Sequence, residues 1–234
     1  MNRYCFCVIK DNNELTAEDL ELIKYQDIAM VTSEVVEDEI LPTRDNVIEH
    51  EETINRIMEE TALIPMSFGH LSDDQEKIER FLEINYERLV QLLEKFADKM
   101  ELGLKIFWKD QAFTEEVEDQ EIAERKKELQ KRENPSQMEI AEVGKLVMDR
   151  AEAFRDYYNQ EIYDKLASIA VESSQKDPYD PKMVLNAVFL VAKEEEDNFD
   201  QLVDEIFNKY QDKLDFKYTG PWPPYNFITE EFEV

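Results

Sequence analysis

Near its C-terminus the chain reads Tyr218-Thr219-Gly220-Pro221-Trp222-Pro223-Pro224-Tyr225-Asn226-Phe227. Each proline fixes its own φ near −65° and restricts the residue before it, so the sequence predicts a stiff, irregular ribbon here. The segment also carries Trp222, Tyr225 and Phe227, and large rings repay their ordering cost only by lying on apolar surface. We expect these three side chains to dock on the chain's own core, with a partner's surface as the alternative.

The composition indicates a folded and strongly acidic protein. The chain has 234 residues, of which 42% are hydrophobic, a content that supports either one large domain or two modest domains. Its 27 Lys and Arg against 56 Asp and Glu give a net charge of −29. Such a protein repels phosphate backbones and anionic lipid headgroups, so nucleic acid and membrane surfaces are disfavoured as partners.

The N-terminal stretch carries both cysteines of the chain, Cys5 and Cys7. At this spacing on a strand they are expected to face the same side, where a routine disulfide is too constrained. We therefore expect two buried free thiols. The first residues form neither a signal peptide nor an apolar run long enough for a transmembrane helix, so the sequence predicts a cytoplasmic location.

The first half of the chain predicts an α+β domain over residues 1–109. Strands are expected at Arg3–Lys10, at 28–31 and at 100–108, where apolar residues alternate regularly. The remaining predicted elements are a short helix capped by Thr16 that ends at Ile23, a helix of about four turns capped by Thr43, an edge strand or bulge at Leu63–Gly69, and a helix with a Ser72/Gln75 capping box that breaks near Asn85.

The second half predicts another α+β domain over residues 110–234. Apolar residues at spacings of three and four favour a long antiparallel helical hairpin, from about 114 to 173, with its second helix beginning at Ser136. The apolar run from Met183 to Ala192 suits a central strand. An amphipathic helix at 198–211, a short strand at 214–218 and the extended Pro/aromatic tail, 218–234, complete the expected order.

Candidate chemical groups are sparse. His50 and His70 are the two histidines, and neither has the ligand spacing of a zinc site. A surface or capping role is expected for His50, and the acids after His70 suit a helix N-terminus. No glycine-rich phosphate loop and no nucleophile-elbow motif is present. The sequence therefore predicts no catalytic residues, no metal and no cofactor, so that the protein is expected not to be an enzyme.

Three segments taken together resemble the gas vesicle protein L/F (GvpL/GvpF) family. Leu63-Ile64-Pro65-Met66-Ser67-Phe68-Gly69, preceded by His50-Glu51 on the helix before it, is similar to the family's L-P-[MLF]-x-F-G element. Met183 to Val191 resembles its LNAAFLV strand, and Gly220 to Phe227 resembles its C-terminal signature. The family often has arginine where this chain has Ser67, so any role of that arginine does not carry over.

The resemblance implies a ferredoxin-like N-terminal domain and a second α+β domain with a helical hairpin. It also implies an accessory protein of gas vesicles that binds the small, hydrophobic structural subunit (GvpA-type), and other accessory proteins as further partners. Two other functions stay open. One is a minor structural constituent of the finished vesicle, and the other is a small-molecule enzyme or sensor on a ferredoxin-like sheet.

The candidate partner-binding residues are Pro65, Met66, Phe68 and Leu71. Pro65 cannot donate to a strand ladder, so it predicts an edge that can accept a segment from another chain. Met66 and Phe68 share one face of that strand and are candidate anchors. The alternative is that these two side chains fill the domain core.

Overall fold

A computed structural model describes residues 2–11, 20–132, 134–229 and 231–233. The chain divides into two compact units, Met1–Glu101 with Pro221–Val234, and Leu102–Gly220. This division differs from the expected ranges of 1–109 and 110–234 at two places. Most of the strand Lys99–Trp108 belongs to the second unit, and the residues from Pro221 onwards pack with the first unit.

The first unit contains an antiparallel sheet with three helices. Its strands are β1 (Asn2–Lys10), β2 (Glu21–Tyr25), β3 (Ile28–Val35), β4 (Leu63–Pro65) and β5 (Leu71–Ser72). Its helices are α1 (Arg44–Glu60), α2 (Gln75–Ile84) and α3 (Tyr86–Phe96). The strand order is β2-β3-β1-β4, and β5 also pairs with β1. The segment from Leu63 to Ser72 thus lies along one side of β1, with β4 at the end of the order, as the proline in it favours.

The expected helix capped by Thr16 is wrong at its C-terminal end. Thr16 itself and residues 12–19 lie outside the described part of the chain. Ile23, however, is in β2, which pairs with β3 in antiparallel register through a tight turn where Gln26 has a φ of 52°. Pairing with a neighbouring strand therefore overrides the local helical pattern.

A β-bulge interrupts β1. Cys5 pairs with Thr32, but Cys7 pairs with Val31, so Phe6 is the extra residue. After the bulge the alternation is shifted by one, and Cys7 joins Tyr4 and Phe6 in one apolar cluster that does not include Cys5. The expectation that the two cysteines share a face is therefore wrong. Both thiols are free and buried, as expected, and burial raises the pKa of Cys5 to about 12.

Helix α1 begins where the sequence predicts. The side chain of Thr43 accepts the N–H of Asn46, and this cap satisfies one of the free donors of the first turn. The buried residues of α1 are His50, Ile54 and Ile57, which are spaced by four and three positions. His50 thus lies on the buried stripe of the helix, and its expected surface role is wrong.

Helices α2 and α3 meet at Asn85, as predicted, but α2 is capped differently. Asp74 is the N-cap residue, and its carboxylate accepts the N–H of Glu76. The hydroxyl of Ser72 instead donates to the carbonyl of Asp74. The expected Ser72/Gln75 capping box is therefore wrong, because the helix begins two residues later.

The second unit contains a four-stranded sheet of order β7-β8-β6-β9. Its strands are β6 (Lys99–Trp108), β7 (Glu172–Gln175), β8 (Met183–Ala192) and β9 (Leu214–Trp222). Its helices are α4 (Asp110–Glu116), α5 (Gln120–Gln130), α6 (Gln137–Tyr158), α7 (Asp164–Ala167) and α8 (Glu196–Tyr210). β8 is an inner strand whose residues from Met183 to Val191 are all buried, as its apolar run predicts.

The expected hairpin is shorter than the sequence suggests. α6 begins after Ser136 with a complete capping box to Glu139. A π-helical turn (Asn159–Tyr163) and α7 follow, and residues from Glu172 onwards form β7, which pairs with β8. The expected helix to residue 173 is therefore wrong in its last turns, where strand pairing replaces the helix.

The first part of the C-terminal segment is not the irregular ribbon that the prolines predict. β9 continues through Gly220 and Pro221 to Trp222. β9 is the last strand in the sheet order, and such a strand tolerates a proline because one side of it makes no ladder bonds. A Cβ placed on Gly103 of β6 would lie 2.8 Å from Oγ1 of Thr219, so the glycine permits close approach of the two strands.

Candidate interaction site

The first unit contains an open cavity of about 320 Å³ between α1 and the C-terminal segment. Its walls come from five residues of α1 between Val47 and Asn55, from Ser67 and Phe68, and from Trp222, Pro223 and Tyr225. We call it the α1–tail cavity. Its volume lies at the lower end of the range of about 300–1,000 Å³ that is usual for ligand sites.

Four rings form an aromatic cluster beside this cavity. The ring of His50 stacks on Phe6 with centroids 5.8 Å apart, and it meets the edges of Tyr4 and Phe68, each at 5.6 Å. Tyr4 and Phe6 belong to β1. The bulge at Phe6 places Cys7 on the same face of the sheet as these two rings. The cluster holds the His50 ring in a fixed orientation.

Hydrogen bonds link His50 through Tyr4 to the loop after β4. The phenolic oxygen of Tyr4 accepts the backbone N–H of Gly69 at 3.1 Å and lies 2.8 Å from Nδ1 of His50. A phenolic hydroxyl can both donate and accept, so either Tyr4 or His50 can be the donor of the bond between them.

Burial controls the charge of His50, which is 4% exposed. Burial lowers the pKa of His50, and a hydrogen bond with the backbone of Met66 offsets part of that effect. The buried ring is therefore neutral at neutral pH.

The C-terminal segment is anchored within the first unit. Phe227 is 1% exposed, and its carbonyl accepts a hydrogen bond from Nζ of Lys95 at 3.3 Å. Asn226 donates its backbone N–H to the buried carboxylate of Glu101. Further along, Asn85 donates to the carbonyl of Glu233 at 2.8 Å and accepts its N–H at 3.1 Å. These contacts fix the wall of the α1–tail cavity that Trp222 and Tyr225 provide.

Residues 2–229 match the model of the family described as gas vesicle synthesis protein GvpL/GvpF. The chain belongs to the GvpL/GvpF family. It is 28% identical over 200 residues to gas vesicle protein F of Nostoc sp., covering 83% of this chain and 82% of that protein. It is 27% identical over 230 residues to gas vesicle protein F of Dolichospermum flosaquae, covering 94% and 92%.

The same fold is found in a gas vesicle protein whose crystal structure is known. The crystal structure of the gas vesicle protein GvpF from Anabaena sp. superposes with a TM-score of 0.80 at 23% identity, covering all of this chain and 98% of that one. The α+β architecture with two antiparallel sheets is therefore shared with that protein. At this identity the likeness concerns the fold alone.

Among the four GvpL/GvpF candidate residues near β4, Phe68 lines the α1–tail cavity. Pro65 is buried and pairs with Cys7. Met66 is half-buried, and its backbone N–H donates a hydrogen bond to the carbonyl of Phe6. Leu71 is half-buried in β5 and packs against the core cluster. The structure thus brings one of these four residues to the cavity, together with the exposed Ser67.

The three rings of the C-terminal segment differ in their surroundings. Phe227 is buried, Trp222 is half-buried on the cavity wall, and Tyr225 is 40% exposed. Burial, reinforced by nearby groups that include the Glu51 and Glu101 carboxylates, raises the pKa of Tyr225, so its hydroxyl stays protonated at neutral pH. The same docking role was expected for all three rings, but Phe227 is the one of the three that is fully enclosed.

His50 is the site residue that sequence reasoning missed. A signal was present, because His50, Ile54 and Ile57 continue one helical stripe. A stripe counted from apolar residues alone does not include a histidine. Its partner Tyr4 is 46 positions away, so no local pattern reveals the hydrogen bond.

Metal-binding clusters and membrane-spanning helices are absent from the part of the chain that the structure describes. There, no three His, Cys, Asp or Glu side chains are grouped so that they could hold a metal ion. Within the same residues, none of the helices combines the length and the apolar character needed to cross a bilayer.

Proposed function

We propose that this GvpL/GvpF chain is a non-enzymatic accessory protein of gas vesicle assembly, which binds the small hydrophobic shell subunit and either holds it soluble or nucleates the shell. The observation that carries the proposal is the α1–tail cavity. It is the place where Phe68, from the first family-like segment, and Trp222, from the C-terminal one, line the same concave surface.

The chemistry of the cavity suits an apolar guest. Aliphatic and aromatic side chains of Val47, Ile54, Phe68, Trp222 and Pro223 contribute to its walls. Burying such surface favours association, while the net charge of −29 keeps the protein and its complex dispersed. An apolar contact surrounded by like charges is what a partner of a readily aggregating subunit needs.

We further infer that the first unit is a ferredoxin-like domain and that the protein acts from the cytoplasm on the growing vesicle. The strand order β2-β3-β1-β4, antiparallel throughout, agrees with that fold. The first crossover of the fold would span residues 12–19, which lie outside the described part.

Co-purification tests the function. The tagged chain is co-expressed with the vesicle structural subunit, and the captured subunit is measured for Phe68→Ala, Trp222→Ala and wild type. Each substitution is expected to reduce capture about tenfold or more, because buried aromatic anchors carry much of the energy of an interface. Tyr179→Ala, which removes a 66%-exposed tyrosine from the second unit, is the matched control and keeps full capture.

A charged substitution at the rim of the α1–tail cavity tests binding without disturbing the fold. Ser67 is exposed, so Ser67→Lys leaves the core intact while placing an ammonium group at the cavity. Gln137→Lys, at an exposed position of α6, controls for the added charge. Full capture by all folded cavity variants would overturn the proposed site. Recovery of the chain in stoichiometric amounts from washed vesicles would instead make it a structural constituent.

A further inference from the structure

Four residues of the second unit form a surface that we call the Lys–aromatic patch: Lys105, Phe107, Tyr179 and Lys217. Lys105 and Phe107 alternate along β6, so they share one face of the sheet. Nζ of Lys105 lies 5.7 Å from the centroid of the Tyr179 ring, and Nζ of Lys217, in β9, lies 5.2 Å from that of the Phe107 ring. The two ring centroids are 6.3 Å apart. The patch therefore presents two ammonium groups beside two adjoining rings.

The ammonium groups of the patch are available to a partner. Lys105 and Lys217 are exposed, and neither forms an ion pair with a residue that the structure describes. Asp215, which shares the exposed face of β9 with Lys217, lies 3.8 Å from Nζ of Lys109. Contact with a ring face occupies one side of an ammonium group and leaves N–H donors for carboxylate oxygens. Tyr179 is 66% exposed, so an apolar side chain of the same partner can pack on it.

The charge of the patch is opposite in sign to that of the whole molecule, which is −29. This net charge repels long polyanions such as nucleic acids. A short acidic segment interacts mainly with the charges close to it, because the Debye length is about 8 Å at physiological ionic strength. A short acidic protein segment with an exposed apolar residue is therefore the occupant that fits the patch.

The chain carries a segment of this kind in the loop between β3 and α1, at residues 36–41, which we call the acidic loop. It reads Val-Glu-Asp-Glu-Ile-Leu, and its three acids are exposed and form no ion pair with the described residues. Val36 is 77% exposed, more than any other large hydrophobic side chain in the described part of the chain. The side-chain amide of Asn2 donates to the carbonyl of Glu37 at 2.7 Å and to a carboxylate oxygen of Asp38 at 3.0 Å, which anchors the loop on β1.

We propose that the protein associates with a second copy of itself, the acidic loop of one copy docking on the Lys–aromatic patch of the other. Carboxylates of the loop pair with Lys105 and Lys217, and Val36 packs on Tyr179. Since the two surfaces differ, each copy can bind one neighbour through its loop and another through its patch, so the contact is heterologous. A contact of this small size is expected to be weak and reversible. The four patch residues are not among those that line the α1–tail cavity, so capture of the shell subunit does not depend on them.

Carbodiimide cross-linking of the unaltered chain tests the contact, since it joins a lysine side chain directly to a carboxylate that touches it. Equal amounts of 14N- and 15N-labelled protein are mixed at high concentration and physiological salt before the treatment. Mass spectrometry is expected to find peptides that join Lys105 or Lys217 to the acidic loop, including pairs of one 14N and one 15N peptide. Such mixed pairs arise only between two copies. If no mixed pair joins these segments, the proposal is overturned.

Charge reversal on either side of the contact gives a reciprocal test by sedimentation equilibrium. Lys105→Glu with Lys217→Glu reverses the patch, and Glu37→Lys with Glu39→Lys reverses the loop. Each double variant alone is expected to associate about tenfold or more weakly than wild type, because like charges then face each other. An equimolar mixture of the two is expected to associate, since the first variant retains the loop and the second retains the patch. Wild type that stays monomeric, or a mixture that does not associate, overturns the proposal.

A matched control separates docking from an effect of net charge. Lys127→Glu with Lys131→Glu makes the same change of charge at exposed positions near the end of α5 and is expected to associate like wild type. A loss equal to that of the patch variant would assign the effect to net charge and overturn the docking. The patch variant is also expected to keep full capture of the shell subunit, so failure of self-association and failure of the proposed function are distinguishable.

Discussion

The carboxylate of Glu101, in β6, accepts the backbone N–H of Asn226 at 2.8 Å, although the two residues are 125 positions apart. The side-chain amide of Asn226 donates to the other carboxylate oxygen. Glu101 is 4% exposed, so these bonds are formed away from water. One buried carboxylate thus holds the C-terminal segment beside β6 and keeps Trp222 and Tyr225 on the cavity wall.

Glu101→Ala is therefore expected to destabilise the fold by about 1–3 kcal/mol, because it removes the buried carboxylate that accepts two hydrogen bonds from Asn226. Glu101→Gln keeps one acceptor oxygen and is expected to lose less stability. Chemical denaturation gives the free energies of unfolding, and chymotrypsin cleavage after Phe227 reports release of the segment. If Glu101→Ala unfolds like wild type, the segment does not depend on this contact.

The aromatic residues of the segment are expected to differ in their contribution to stability. Phe227→Ala removes a ring that is 1% exposed, so it should cost about 3–5 kcal/mol. Tyr225→Ala removes a ring that is 40% exposed and should cost about 1 kcal/mol or less. The loss of stability in Trp222→Ala is expected to lie between those of the other two variants. Thermal unfolding of the three variants measures the order, and a melting curve of Phe227→Ala that matches wild type would contradict the docked position of the segment.

Regular elements could be predicted from the sequence because their causes are local. The alternation from Met100 to Trp108 predicts β6, whose five alternating apolar residues are all buried. The N-cap residues Thr43 and Ser136 fix the starts of α1 and α6. In each case the residues that determine the element lie within it or directly before it.

The candidate site depends on contacts that no local pattern contains. The bulge at Phe6 arises from the register of β1 against β3, and it changes which side chains share a face. The Glu101–Asn226 and Tyr4–His50 contacts join distant segments. Resemblance to the family identified two segments that line the cavity and noted His50 on the helix before the first of them, but the burial of His50 in the aromatic cluster became evident only from the fold.

The burial of His50 predicts a pH dependence of stability. Burial lowers the pKa of His50 below its ordinary 6.5, and burial also lowers that of His70. A histidine with a depressed pKa is protonated in the unfolded chain before it is protonated in the folded one, so stability is complete above 6.5 and falls as the pH drops toward the folded-state pKa. His70→Gln leaves His50 as the remaining histidine, and this variant should still lose stability between about pH 7 and pH 5.

The measurement is the free energy of unfolding of His70→Gln and of the double variant with His50→Gln at several pH values in that window. The double variant is expected to show a smaller slope. Parallel slopes would mean that His50 titrates alike in both states and is not desolvated in solution. Glu161, whose pKa is lowered to about 2 chiefly by hydrogen bonds from Lys209 and Lys165, affects stability only at more acidic pH and does not interfere.

The hairpin of α5 and α6 is expected to open more readily than the sheets. Ile122 is the one buried residue of α5, and the loop after this helix contains the exposed Lys131 and Arg132. Brief trypsin treatment should therefore cut first near Asn134-Pro135, at Lys131 or Arg132. First cleavage within β6 would contradict this order of stability.

The N-terminal end of α5 has one side chain with two separable roles. As the N-cap, Oδ1 of Asp119 accepts a hydrogen bond from the N–H of Ile122 at 3.0 Å. Its Oδ2 accepts a hydrogen bond from Nη2 of Arg150 at 2.6 Å. Asp119→Asn keeps the cap and loses the ion pair, which is partly exposed and contributes little to stability. Asp119→Ala loses both contacts and should increase the rate of tryptic cleavage more than Asp119→Asn does. Equal rates for the two variants would show that the cap contributes nothing to holding α5 on α6.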